Sequence, residues 1–417
     1  MVRAARPTDQ LEPPSSEGSL PREPSVAEGR VLHAAWGFGA ATETFLVDRM
    51  IELDRLGWEA WVAAKWLLPE PIFDFPPADR VLVPRLRDRV AGRLRRGRRG
   101  REWWWLARPV EVVEPALIHA HFGWTARDAI GAAKHFGVPL VAGFHGYDTT
   151  VYPHHGFDAE GRSGTAKQSA EPVYAELFET ASAILATSRF IASQLRRLGC
   201  KREVEVVPSG IRLECFPYRG PRTSGPQEEY RLLFVGRLIP YKGLDVAIRA
   251  VAHLAQGGPG APTLVVIGEG GAGPEYEGLV GSLGVAERVE FRGRQTRSGV
   301  LAALRESDVV VVPSRSTAAG QAEGLGNVVK EALAVGLEVA VSDNGGLPEV
   351  VPPERRREMV VEGDPIALAE RLDAIRAIRG QWEERAREGR RWVEETYAWQ
   401  KLAPRIADVY RRVAGAR

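Results

Sequence analysis

The sequence predicts an α/β protein built from two doubly wound domains, and three observations predict it. Val309-Val310-Val311-Val312 is a short, wholly β-branched run. It reads as a strand buried on both faces, as in a parallel sheet. Runs of this kind are followed by glycine turns and then by apolar residues at helical spacing. A strand and glycine turn, Arg231–Gly236, reopens the pattern midway along the 417 residues. That length is too great for one ordinary domain and suits two of roughly 150–200 residues.

Composition narrows the function. A hydrophobic content of 44% supplies two cores, and a net charge of +2 makes the chain as a whole no polyanion binder. Cys200 and Cys215 form neither a disulfide framework nor a metal-ligand cluster, and they suit a reducing compartment. No apolar run approaches the ~18–20 residues of a membrane span, and the N-terminus carries no apolar signal core. The expectation is a cytoplasmic protein.

Taken in order, residues 1–29 are rich in Pro, Ser and Glu without periodicity and read as a disordered leader. Val31–Ala35 is a strand, Trp36-Gly37-Phe38-Gly39 a glycine turn, and Thr42 the cap of a helix running to Gly57. Gly37 and Gly39 either cradle a nucleotide phosphate or merely make the turn tight. Trp58–Ala64 is the next strand. Residues 85–105 hold nine arginines and then Trp103-Trp104-Trp105. A basic segment with adjoining tryptophans suits an anionic membrane surface; a solvated basic helix is the other reading. Nucleic acid is disfavoured, because no recognisable motif accompanies the charge.

Ala116–Phe122, with His119 and His121, and Val138–Phe144 read as strands. The second ends on His145-Gly146-Tyr147-Asp148, which places His145 at the carboxyl end of a parallel strand, where ligands bind. A purely structural histidine is the alternative. Tyr152–Pro172 is polar and could form an acceptor loop; its adjacent His154 and His155 make no metal site. Residues 217–229 have the Pro, Gly and Ser content of a linker.

In the second half, Gly236-Arg237 ends a strand and Lys242 stands five residues after Arg237. An Arg fork and a Lys point charge so placed either flank a diphosphate or are ordinary surface charge. Leu264–Ile267 runs into a turn at Gly268, and Val289–Gly293 carries Arg292. After Val312 comes Glu323-Gly324-Leu325-Gly326-Asn327, leading into a helix capped by Asn327 and ended by Gly336. A helix start offers unpaired N–H groups and partial positive charge to phosphates and hydroxyls. Glu323 and Glu331 would let one elongated ligand be held at two points, unless both are solvated charges.

These segments resemble retaining glycosyltransferases of family 4, the "glycosyl transferases group 1" type. E-G-L-G-N-V-V-K-E with S-D-N-G-G-L-P-E looks like that family's E-x7-E signature, and G-R-L-I-P-Y-K-G like its second hallmark. A-T-E-T-F, H-A-H-F-G, F-H-G-Y-D and V-P-S-G-I are similar to further segments, most of all in bacterial exopolysaccharide and colanic-acid type transferases. Two departures stand out: Arg212 replaces a usual Asp, and Glu338 a usual Pro. The resemblance implies the GT-B fold, two Rossmann-like domains facing a cleft. It implies that Glu323 and His145 hold the donor sugar, that Glu331 holds the ribose, and that Arg237 and Lys242 hold the diphosphate. Gly236, Gly268, Arg292, Gly324, Leu325, Gly326 and Asn327 would then border the donor.

The expected organisation is a leader at 1–29, a domain at 30–216, a linker at 217–229, a nucleotide-sugar domain at 230–390 and a helix at 391–417 crossing back. The helix proper is expected within Trp392–Val413. The expected enzyme is a metal-independent hexosyltransferase using no cofactor. It would move sugar from a UDP- or GDP-linked donor to a glycan or lipid-linked oligosaccharide of a surface polysaccharide pathway, at the inner face of the membrane. A GT-B-fold sugar-nucleotide epimerase and a non-catalytic nucleotide-sugar binder are the alternatives. An NAD oxidoreductase lacks a full G-x-G-x-x-G with its acid.

Overall fold

The computed structural model describes residues 28–39, 44–67, 75–85, 103–155, 173–222, 230–258 and 260–415. It contains two parallel sheets. The first has seven strands: β1 (Gly29–Phe38), β2 (Trp58–Leu67), β3 (Val81–Leu82), β4 (Leu117–His121), β5 (Leu140–Phe144), β6 (Ala183–Ala186) and β7 (Glu205–Val206). They lie in the order β3-β2-β1-β4-β5-β6-β7. The second sheet comprises β8 (Arg231–Val235), β9 (Thr263–Ile267), β10 (Val289–Phe291), β11 (Val309–Val312) and β12 (Glu338–Val341), in the order β10-β9-β8-β11-β12. Both orders run outward one way and then reverse, so each sheet has a switch point, between β1 and β4 and between β8 and β11. A crevice opens at such a point beyond the carboxyl ends of the strands.

The strands form where apolar runs can be buried on both faces. Val309, Val310 and Val311 are essentially inaccessible, as are Leu32, Ile118 and Val141 in the first sheet. Glycines close the helices: Gly137 ends Gly123–Phe136 and Gly336 ends Asn327–Val335, both with positive φ.

Several boundaries differ from the sequence reading. Gly29 already belongs to β1, and the Glu28 N–H donates to Gly57 O, so order reaches into the segment read as leader. Residues 1–27 and the Thr42 cap lie outside the described residues, as do 86–102 of the basic segment, 156–172 of the polar loop and 223–229 of the linker. Trp103 packs on Gly131 and the Phe136 ring, and Trp105 is 2% exposed in the first core. Core packing therefore accounts for those two rings, while Trp104 is only half-buried. The last stretch is not one helix over Trp392–Val413. Helices Trp382–Thr396 and Trp399–Ala414 are separated by Tyr397-Ala398, where Ala398 is extended and bridges Ile211. The second of them leaves the nucleotide-side domain. Trp399, Ile406 and Tyr410 pack with Val31, Leu117 and Val141 beneath the first sheet.

Candidate active site

The two switch points face one another across a cavity of about 1350 Å³ lined by both domains. From the first domain come His145, Phe122, Asp48 and Arg212; from the second come Arg237, Lys242, Glu323 and Glu331. Gly236, Gly324, Leu325, Gly326 and Asn327 also border it. Gly37, Gly39, Gly268 and Arg292 do not. Gly37 is instead packed on the Trp66 ring, and Gly268 (φ +142°) lies so close to Gly236 O that a Cβ would stand 1.8 Å away. The Arg292 guanidinium is taken up by Glu290 and Glu306 on the surface. Gly39 has φ +106° and adjoins residues outside those described.

Glu323 is the best-anchored of these groups. Its Oε2 accepts from Lys242 Nζ at 2.7 Å and Ser314 Oγ at 3.1 Å, and its N–H donates to Asn344 Oδ1 at 2.9 Å. Asn344 is held in turn by Ser316 Oγ and Glu362. Burial alone would lower the Lys242 ammonium; Glu323 and Tyr241 together more than offset it, and the net shift is upward. Lys242 is therefore a fixed cation. Arg237 donates to Tyr241 OH at 3.3 Å, which steadies the fork beside it. Burial pushes the Glu331 carboxyl up, against the pull of Lys330 and Arg297.

Asn327 does not cap the following helix. It is the first helical residue, and Gly326, with φ +84°, occupies the cap position. A β-branched or bulky residue would be strained there, and a Cβ at Gly326 would meet Leu347 at 2.4 Å. The first-turn N–H groups thus receive no side-chain cap, and they lie beside the cavity.

His145 extends from the end of β5, between the rings of Phe45 and Phe122 at 5.1 and 4.8 Å. Neither ring nitrogen has a hydrogen-bond partner among the described residues. Burial first, and then Arg49, hold its pKa well below the ordinary range, so the ring is neutral. Its turn is set by Asp148, whose carboxylate accepts from the backbone N–H groups of Gly123, His145 and Gly146. Burial pushes the Asp148 carboxyl up to about 6 despite those donors. The folded protein then holds this proton more tightly than the unfolded chain. That contribution is fully present below about pH 4 and is lost as pH rises through about 6, roughly 2–3 kcal/mol in all. Urea unfolding of wild type and Asp148→Asn at pH 4 and 7 should show wild type losing about that much relative to the variant. A pH-independent difference would refute the shift.

Sequence reasoning missed three groups. Both Asp48 carboxylate oxygens accept from Arg297 Nη2 at 3.0 Å, an ion pair linking the two domains inside the cavity. Lys330 is fully buried and donates to Ser209 O of the first domain. Glu349 accepts from the N–H groups of Arg189 and Phe190, both at 2.8 Å, at a helix start in the first domain. Glu349 and Lys330 stand inside motifs already quoted, but their partners lie more than a hundred residues away.

The comparisons with known proteins bear on this geometry. Residues 221–399 match the family model "Glycosyl transferases group 1", and residues 42–214 match "Glycosyltransferase Family 4". The chain is 31% identical over 257 residues to a putative colanic acid biosynthesis glycosyltransferase, WcaL, of Escherichia coli, covering 61% of this chain and 60% of that one. It is 31% identical over 321 residues to a D-inositol 3-phosphate glycosyltransferase of Salinispora tropica, covering 70% and 63%. The match thus spans less than two thirds of these relatives' length. Among solved structures, sucrose-phosphate synthase from Thermosynechococcus elongatus superposes with TM-score 0.70 at 22% identity, covering 93% and 100% of the chains. Anabaena HepE, in complex with UDP and glucose, superposes with TM-score 0.67 at 18% identity, covering 91% and 99%. The fold is GT-B. With one family model matching nearly all of each domain, the chain belongs to glycosyltransferase family 4, the group 1 glycosyl transferases.

Proposed function

We propose that this protein transfers a sugar from a nucleotide diphosphate sugar to a hydroxyl of a glycan or lipid-linked oligosaccharide, with retention at the anomeric carbon. The observation that carries the reading is a single cavity joining the Lys242–Glu323 pair and Arg237 to His145 of the other domain. On this reading Lys242 and Arg237 take up the charge of the departing diphosphate. Glu323 accepts hydrogen bonds from donor-sugar hydroxyls, and neutral His145 offers one donor and one acceptor beside them. Glu331 accepts from the ribose. The acceptor oxygen attacks the anomeric carbon on the face the diphosphate leaves; the sugar–phosphate C–O bond breaks, and the hydroxyl proton passes to the leaving phosphate oxygen. Two cations already face the diphosphate, so a divalent ion is not required for that role.

HepE is described with UDP, which makes a UDP-linked donor the first to test. The cytoplasmic side of a membrane carrying the acceptor is the proposed location. No described helix is long and apolar enough to cross a membrane.

Thermal-shift measurements with UDP, GDP, ADP and NAD, in the presence of a chelator, test the reading. A true donor nucleotide at a hundredfold excess over Kd stabilises by about 2.7 kcal/mol. The expected result is a shift with UDP or GDP, lost in Lys242→Ala. A shift with NAD, or none with either uridine or guanosine diphosphate, would overturn it.

A further inference from the structure

Behind His145, on the side away from the cavity, three more histidines are packed together. His33 is on β1, and His119 and His121 are on β4. The i, i+2 spacing puts the β4 pair on one face of its strand, and the parallel register sets His33 beside His119. All three are buried, at 1%, 0% and 1% exposure. His33 Nδ1 and His121 Nε2 are 3.0 Å apart, and the three rings present one nitrogen each within 4.8 Å of one another.

We propose that His33, His119 and His121 form a site for a late first-row transition metal ion of the zinc or cobalt class, separate from the transferase cleft. Nitrogens sharing a tetrahedral ion with bonds of about 2.0–2.1 Å stand about 3.3 Å apart. One pair here stands at 3.0 Å and all three nitrogens lie within 4.8 Å of one another, so modest ring rotations close the site. Of the ring nitrogens that could serve, His33 Nδ1 and His121 Nε2 are hydrogen-bonded to one another, and buried His119 Nε2 has no hydrogen-bond partner among the described residues. Leaving such atoms unmatched is costly, and a ligand bond removes the cost. His119 Nδ1 lies 2.6 Å from Tyr410 OH. With Nδ1–H donating there, Nε2 carries the lone pair, the outer-shell arrangement that orients a metal-binding imidazole. Imidazole-only ligation suits Zn, Co, Ni and Cu and not Mg or Ca.

Two further groups shape the site. A Cβ on Gly143 would stand 2.9 Å from His119 Nε2 and 3.5 Å from His145 Nε2. Glycine there lets the His119 and His145 rings pack directly against the β5 backbone. Buried Arg49, lowered to about 10 by its burial, opposes a cation and limits affinity. The Lys and carboxylate groups of the cleft are not part of the cluster.

The test is metal content by plasma mass spectrometry, and visible d–d absorption after Co2+ loading, on full-length protein purified without chelator. Wild type should hold about one equivalent with an imidazole-type spectrum. His119→Gln should lose it, and a variant with both His154→Ala and His155→Ala should keep it. Tyr410→Phe should weaken binding about tenfold with the fold intact, and Arg49→Met should tighten it. No stoichiometric metal and no cobalt spectrum in folded wild type would overturn the proposal. So would full metal content in His119→Gln, or its loss in the His154/His155 variant. If His119→Gln does not fold, the cobalt spectrum of wild type and the Tyr410→Phe weakening decide.

Discussion

Replacing Lys242 with alanine is expected to lower kcat/KM for the nucleotide-sugar by about 10²–10³, the range seen when one preorganised charge-stabilising donor is removed. The ammonium sits at the end of the strand–turn unit that begins at β8, 2.7 Å from Glu323 and with only a fifth of its side chain exposed. In so sheltered a place water does not substitute for it. The same substitution leaves the Glu323 carboxylate with Ser314 Oγ as its remaining side-chain donor, so some stability is lost as well, about 1–3 kcal/mol. The two effects separate in a double variant. Lys242→Ala with Glu323→Gln removes the stranded charge and should recover most of the stability, yet it should stay inactive. Recovery of activity along with stability would mean that Lys242 serves folding alone, and the diphosphate role would be withdrawn.

The two doubly wound domains trace to local signals, while the GT-B arrangement and the ten of fourteen expected residues that border one cavity were legible through the resemblance of short motifs. The run Val309–Val312 reads as a doubly buried strand, and Gly236, Gly326 and Gly336 mark turns. Residues just past the carboxyl end of such a strand in an open sheet face the crevice. Position made His145, Arg237 and Glu323 candidates, and the family resemblance is what gave them roles. Where the outcome depended on partners distant in sequence, local reading failed. Arg292 is expected near the base through its backbone; its side chain is paired with two carboxylates, and the residue does not border the cavity. Trp105 adjoins an arginine run, but it faces the core of the first domain. Asn327 has the chemistry of a cap, yet the backbone needs positive φ one residue earlier, and Gly326 takes the cap. The break at Tyr397-Ala398 carries no proline or glycine. It exists because Ile211, far back in the chain, exchanges backbone hydrogen bonds with Tyr397 and Trp399. The histidine cluster needed the pairing of β1 with β4, which no window of sequence contains.

Gly324→Ala should reduce kcat/KM by about 10² while leaving the melting temperature within a few degrees of wild type. Here the two domains meet backbone to backbone. A Cβ on Gly324 would stand 2.4 Å from His145 O and 3.5 Å from Gly146 Cα. His145 O is main chain and cannot rotate aside, so one loop must retreat from the other. Glu323 and His145 belong to those two loops, and displacement by about 1 Å is enough to cost a hundredfold in rate. Alanine at Gly146 would be a poor control, because its φ of +145° makes any side chain strained there. Serine at Gly271, where no atom lies within 4 Å of a Cβ, serves instead and should be silent. Small-angle scattering of the Gly324→Ala variant should show a wider interdomain separation. If the variant keeps full activity, the close approach of Glu323 and His145 is not the arrangement in which sugar is transferred, and the donor must be held by one domain alone.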